Sequence, residues 1–250
     1  MSAELLLQAS GLGKRFGAVV AAADINVRVA AGERVSLIGS NGAGKTTFVN
    51  MITGYLKPDE GEIRFDGRDV TALSPRDITH LGVARSFQIP QLCAELTVLD
   101  NVLVAMACHA RRLSAWQPAR RADALARADA LLERFGLGSQ RARRVAELPG
   151  GVRKLLDIAM AMTGTPRLLL LDEPTSGVSA EEKFPMMETI MTALGQAPIG
   201  VLFVEHDMDI VMRYATRVVA FAGGRVIGDG DPAAVLGADE VRHHVTGHLQ

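Results

Sequence analysis

The chain has 250 residues, 48% of them hydrophobic, and its 27 Lys and Arg nearly balance 28 Asp and Glu, for a net charge of −1. That length supports one domain, or a domain with an inserted lobe, around a large core, and the charge balance gives no electrostatic footprint for nucleic acid. The N-terminus has no basic region followed by an apolar stretch, no window approaches eighteen uncharged apolar residues, and the two cysteines, Cys93 and Cys108, have no metal-like spacing. A signal peptide, a spanning helix and a cysteine-held metal are therefore not expected, and the thiols read as free ones in a reducing cytoplasm.

In chain order, residues 5–9 and 24–29 read as strands joined through the glycines between positions 11 and 17. Phe16 lies in that connection, where it fits either a hydrophobic plug or an aromatic face for an adenine ring. Residues 34–38 are an apolar run that reads as a buried strand. From Ser36 to Thr47 the chain runs Ser-Leu-Ile-Gly-Ser-Asn-Gly-Ala-Gly-Lys-Thr-Thr, a full P-loop pattern with Gly39, Gly44, Lys45 and Thr46 at the required spacing. Phe48, Val49 and Ile52 then share one helical face, so the order is strand, glycine loop, helix. Gly39, Gly42 and Gly44 let the backbone curl so that successive N–H groups face phosphate oxygens. The following helix contributes the positive end of its dipole and its unpaired first-turn donors. Lys45 is expected to reach the β- and γ-phosphates, and Thr46 to offer its hydroxyl to Mg²⁺. The stretch predicts a nucleoside triphosphate site.

Residues 61–67 alternate and end on Asp-Gly, a short strand and turn. Pro75 opens a short helix, and residues 83–87 form a strand that delivers Gln88. From about 98 to 147 the chain is rich in Ala, Leu and Arg, with Val102, Ala105, Met106, Ala124, Leu125, Ala128, Leu131 and Leu132 at helical spacing. This is an inserted helical subdomain, taken as residues 95–162 within a single domain of residues 1–250. Its arginines (111, 112, 120, 121, 127, 134, 141, 143 and 144) either solvate outward faces or meet an acidic partner. Leu148-Pro149-Gly150-Gly151 starts a helix with Leu155, Leu156, Ile158, Ala159 and Met162 inward. Residues 168–171 are a continuous apolar strand ending in Asp172 and Glu173, as buried parallel strands at a site do. A helix over 181–194, a strand over 201–204 ending in Glu205-His206-Asp207, and strands at 218–221 and 225–227 complete the chain. The alternation predicts an α/β fold with a mostly parallel sheet.

Asp172 is placed to hold Mg²⁺ with Thr46, directly or through water, with Gln88 a further candidate ligand. Glu173 is the candidate to polarise an attacking water. Gln88 and His206 each sit just beyond the C-terminal end of a strand, where open α/β sheets place their ligands; either alone also fits a satisfied polar residue in a loop.

Taken together, these pieces resemble the ATP-binding subunit of ABC transporters over essentially the whole chain. The matching stretches are the P-loop Gly39-Ser40-Asn41-Gly42-Ala43-Gly44-Lys45-Thr46-Thr47, Gln88, the signature position from Leu148 to Val152, residues 168–173, and His206. Within that family the chain is similar to the branched-chain amino acid uptake group, through Arg85-Ser86-Phe87-Gln88, residues 96–105 and residues 204–212. The resemblance implies a P-loop NTPase fold with an antiparallel β subdomain and an inserted helical subdomain. It also implies ATP and Mg²⁺ as cofactors, ATP hydrolysis by Glu173, His206 and Gln88, and adenine stacked on Phe16. Two such subunits would face head to tail on the cytoplasmic side of a membrane, each ATP held by one P-loop and the other chain's signature. Membrane permeases would be the partners, touched by the loop over residues 89–97, with an external substrate-binding protein acting indirectly and no nucleic acid. Two other readings belong to the same constellation, an export ATPase for lipid or polysaccharide and a soluble ABC-type ATPase.

The chain departs from the family pattern in two places. Where the family has Leu-Ser-Gly-Gly-Gln, this chain has Leu148-Pro149-Gly150-Gly151-Val152, and proline lacks both the hydroxyl and the N–H. Ser179 stands where an aspartate is usual. Both changes touch the surface offered to the second ATPase, which implies an asymmetric heterodimer in which this chain's own P-loop site is the working one, with a homodimer as the alternative.

Overall fold

The structure is a computed structural model that describes residues 4–109, 121–195 and 198–246. Among the described residues ten strands form two sheets. An antiparallel sheet in the order β2-β1-β4-β5 combines β1 (Leu5–Phe16), β2 (Val19–Ala30), β4 (Glu60–Phe65) and β5 (Arg68–Asp69). The larger sheet runs β10-β9-β3-β8-β7-β6 and combines β3 (Arg34–Ile38), β6 (Val83–Ser86), β7 (Leu168–Asp172), β8 (Gly200–Val204), β9 (Arg217–Ala222) and β10 (Arg225–Gly230). All its neighbours are parallel except β10 on β9.

The uninterrupted apolar runs of β7 and β8 follow from burial on both faces. Leu169 and Leu171, with Val201 and Phe203, enter one core, whereas Leu168 and Leu170, with Leu202 and Val204, enter the other. Because side chains alternate along a strand, each run divides evenly between two cores and has no polar face to show. The first core lies under α3 (Val98–His109), α4 (Ala122–Arg134), α5 (Gly150–Ala161) and α6 (Ala180–Leu194). The second lies between the two sheets and takes Phe48, Val49 and Ile52 from α1 (Lys45–Ile52). Leu171 is 1% exposed in the first core, so Leu171→Ala is expected to lower unfolding stability by about 2–5 kcal/mol, read from the midpoint shift of a urea titration.

The first two strands are longer than the sequence indicates. The glycines between them do not form a loop; the ladder continues with register shifts, Gly11 (φ 60°) taking up one irregularity and Gly17 (φ 59°) the hairpin turn. Glycine at positive φ serves a bulge as well as a loop, and the residue types do not separate the two. The short helix at Pro75 is α2 (Pro75–Leu81), capped by Ser74. α3 begins at a mutual cap in which Asp100 N donates to Thr97 Oγ1 and the Thr97 hydroxyl donates to Asp100. The remaining α-helices among the described residues are α7 (Met208–Tyr214), α8 (Pro232–Gly237) and α9 (Asp239–Val241).

Of the arginines singled out in the helical stretch, positions 111, 112 and 120 lie outside the described residues. Arg121 and Arg127 pair with Asp123, Arg141 pairs with Asp129, and Arg134 and Arg143 donate to the backbone oxygens of Ala193 and Glu147. Local partners therefore account for these charges, in keeping with a solvated face.

Candidate active site

The P-loop joins β3 to α1, and two of its glycines are held where no side chain fits. A Cβ on Gly39 (φ 150°) would lie 2.5 Å from the Phe221 carbonyl oxygen, and one on Gly44 (φ 107°) 2.9 Å from that of Ala21. Gly44 is the N-cap of α1 and gives no side-chain bond to the helix, so the first-turn amides face the loop without a partner inside the helix. A cavity of about 180 Å³ opens there, lined by residues 41–47, by Val19, Val20 and Ala21 from the start of β2, and by Glu173, Val204 and His206. Ringed by unpaired N–H donors with one buried lysine behind them, it fits a polyphosphate.

Lys45 is 6% exposed, and its Nζ donates to the carbonyl oxygens of Gly39 at 2.6 Å and Ser40 at 3.0 Å. Burial lowers its pKa below the ordinary lysine value, while the carboxylates of Glu173 and Asp172 act in the opposite direction. Thr46 stands exposed in the first turn of α1 and lines the cavity.

Two residues chosen from separate parts of the sequence converge on the carboxylate of a third. Gln88 Nε2 donates to Glu173 Oε2 at 2.7 Å, and His206 Nε2 lies 3.3 Å from Glu173 Oε1. Glu173 has φ 47°, in the left-handed region, and its N–H donates to the Val204 carbonyl at 3.1 Å. For a residue with a Cβ this conformation costs of order 1–3 kcal/mol, and the turn it makes sends the carboxylate back over the P-loop cavity. Asp172, one residue earlier, accepts a bond from Arg85 at 2.8 Å, in a pair whose side chains are 8% and 14% exposed. The Arg85 guanidinium also donates to Asn50 Oδ1 at 2.8 Å and lies 4.7 Å from the Phe87 ring centroid.

Phe16 ends β1 with 52% of its surface exposed and Lys14 Nζ 5.8 Å from its ring centroid. It is not a core plug. Pro149 is the N-cap of α5, and Pro149 and Gly150 are both exposed. Ser179 is the N-cap of α6, its hydroxyl donating to Glu182 at 3.0 Å.

Several residues of this assembly had no role in the sequence reading. Arg85 is one. Glu205 is another, 3% exposed, whose carboxylate accepts from Thr175 N and Oγ1 and from His206 N, tying the end of β8 to the loop after Glu173. Lys154 and Asp157, on the inner face of α5, are also buried. Their signal is periodicity: both fall on the face that carries Ile158, where a surface helix would place apolar residues.

A profile of the ABC transporter family matches residues 22–176. The chain is 35% identical over 241 residues to the probable branched-chain amino acid transport ATP-binding protein LivG of Archaeoglobus fulgidus, covering 94% of this chain and 93% of that one. It is 34% identical over 238 residues to the high-affinity branched-chain amino acid transport ATP-binding protein BraF of Pseudomonas aeruginosa, covering 92% and 93%. Among solved structures it superposes on the ADP conformation of MJ1267, an ATP-binding cassette of an ABC transporter, with TM-score 0.87 and 30% identity over 96% of this chain and 97% of that one. With the P-loop cavity and the carboxylate above it in place, these matches show that the chain belongs to the ABC transporter family, as an ATP-hydrolysing cassette.

Proposed function

We propose that this chain, bound at the cytoplasmic face of a membrane, hydrolyses ATP to power uptake of branched-chain or related amino acids through permease subunits. The observation that carries the reading is the convergence of Gln88 and His206 on Glu173 above the P-loop cavity; the names of its relatives point to the substrate class. Among the described residues no helix is long and apolar enough to cross a membrane.

In this reading the α1 amides and the loop of Gly39 to Thr47 bind the phosphates, and Lys45 leaves the two loop carbonyls for phosphate oxygens. Phe16 offers its exposed ring to the adenine. Glu173 accepts a proton from the attacking water, and the water's oxygen bonds to the γ-phosphorus as the bond to the β–γ bridging oxygen breaks, giving ADP and phosphate. Gln88 and His206 orient the Glu173 carboxylate and the γ-phosphate. The hydroxyl of Thr46, the carboxylate of Asp172 and the amide oxygen of Gln88 form a hard oxygen donor set that suits Mg²⁺. Mg²⁺ would neutralise charge on the phosphates.

Loop residues after Gln88 would meet the permease. Ile89 is 74% exposed beside a groove of about 310 Å³ that Pro90, Leu92 and Gly177 also line. The base of this loop is fixed, since Asn101, fully buried, bonds both N and O of Cys93 and the carbonyl of Thr97. Movement at Ile89 is thereby passed to Gln88 and is not lost in the loop.

Pro149 and Ser179 support pairing with a second, different ATPase subunit, because a signature without a hydroxyl serves the partner-side ATP poorly. Pro149→Ser is expected to tighten that contact by roughly 10- to 150-fold, the value of one hydrogen bond to a charged group at about 1.5–3 kcal/mol. The measurement is the ATP concentration at which two Glu173→Gln chains that also carry Pro149→Ser associate, compared with Glu173→Gln alone; equal concentrations would remove Pro149 as the cause of asymmetry. For the function itself, tagged Glu173→Gln protein is recovered with Mg-ATP from detergent-solubilised membranes of the source organism. Two permeases and a second ATPase with an intact signature are expected. Copies of the bait with one membrane protein would favour export, and soluble partners alone would overturn transport.

A further inference from the structure

α5 turns two charged side chains inward, and both are used on the backbone around Gln88. Lys154 is 3% exposed, and its ammonium donates to the carbonyl oxygens of Phe87 at 2.8 Å, Gln88 at 2.9 Å and Asp172 at 3.1 Å. Three donors meet three acceptors, so the group is fully satisfied. Almost one turn further on, the Asp157 carboxylate accepts from Ser86 Oγ at 2.6 Å, Gln91 N at 3.1 Å and Phe87 N at 3.2 Å. Burial pulls the Lys154 pKa down, with the carboxylates of Asp157, Asp172, Glu173 and Glu205 opposing it.

The carbonyls that Lys154 grips belong to the catalytic neighbourhood. One is that of Gln88. Another belongs to the Asp172–Glu173 peptide, whose N–H is held by Val204 on the other side. A peptide unit is planar, so a bond at each end fixes its orientation, and that orientation aims the Glu173 carboxylate. The helix that carries Lys154 has Gly150 and Gly151 in its first turn, where the proposed pairing places the partner chain's nucleotide.

We propose that Lys154 is a positioning residue that locks α5 to Gln88 and to the Asp172–Glu173 peptide, so that a shift of α5 on engaging the partner's nucleotide re-aims this chain's own Glu173. The proposal rests on the functional reading above and adds to it a route within one chain between its two nucleotide contacts. A misplacement of about 1 Å at a reacting centre costs on the order of 10²-fold in rate.

The test compares full-length wild type, Lys154→Met and Lys154→Arg in ATP turnover, binding of a fluorescent ATP analogue, thermal unfolding and deuterium exchange. Lys154→Met should lower kcat about 10²-fold with KM and analogue affinity unmoved, because no P-loop contact is lost. Lys154→Arg, which still donates to carbonyls, should recover most of that rate. Exchange should quicken over residues 86–92 and 172–176 and stay at the wild-type level in β3 and β8. An unchanged kcat, or kcat, KM and melting point falling together with faster exchange throughout the chain, would overturn the proposal. If turnover needs the partner subunit, exchange decides: wild-type protection over 86–92 in Lys154→Met sinks it. Wild-type protein that binds no ATP would instead defeat the functional reading.

Discussion

Glu173→Gln is expected to reduce ATP turnover by about 10²- to 10⁴-fold, the contribution of a positioned general base, while ATP still binds. The substitution preserves shape, and an amide oxygen can still accept from Gln88. Lost is the carboxylate that would take the proton of an attacking water. Gln88 has no basic group, and His206 Nε2 lies 3.3 Å away on the other carboxylate oxygen. Phosphate release and nucleotide affinity, measured on the same preparation, check the two halves of the expectation. A fall in turnover smaller than tenfold would place the proton acceptor elsewhere.

Lys45→Met carries the second large effect, on binding instead of turnover. Two charge-assisted bonds to phosphate oxygens, at about 1.5–3 kcal/mol each, correspond to roughly 10²- to 10⁴-fold in ATP affinity. The resting ammonium is already bonded to Gly39 and Ser40, so exchanging those carbonyls for phosphates offsets part of the gain, and the lower end of the range is the expected value. pH gives an independent check. Burial lowers the Lys45 pKa in the free chain, and bound phosphates raise it again. Binding therefore favours the protonated form, and affinity should fall as pH rises through the free-chain value. In Lys45→Met that alkaline loss should disappear. A calorimetric titration across the alkaline range reads both effects, and a wild-type affinity that is flat with pH would contradict this account.

Much of the candidate site is legible in the sequence because each part announces itself locally. A glycine loop between an apolar strand and a helix has few other uses, and Asp172 and Glu173 close a strand too apolar to face water. Even so, no residue pattern indicates that Gln88 and His206 meet on one carboxylate, since each is only a polar residue after a strand until the sheet order brings β6, β7 and β8 side by side. The supports were harder to see. Arg85 reads as an ordinary charge, and its pairing with Asp172 depends on the parallel register that sets Ser86 beside Leu171. Lys154 and Asp157 did carry a signal, charges on the apolar face of a helix, which the count of inward leucines concealed. The connection between the first two strands departs from its sequence reading for a different reason. Its glycines support a bulged ladder as readily as a loop, and the choice is made by pairing with β4, far along the chain.

The position of β3 in the sheet bears on how the protein is made. Its two neighbours, β8 and β9, come from the last fifth of the sequence, and Arg34 bonds Thr216 across a separation of 182 residues. At about 5–20 residues per second, a ribosome needs roughly 10–40 s after making β3 before both flanking strands exist. Until β8 is made, near the end of that interval, the nascent chain holds a strand with no partner in its sheet. Pairing across so many residues slows folding, and a segment made early is among the last to be enclosed.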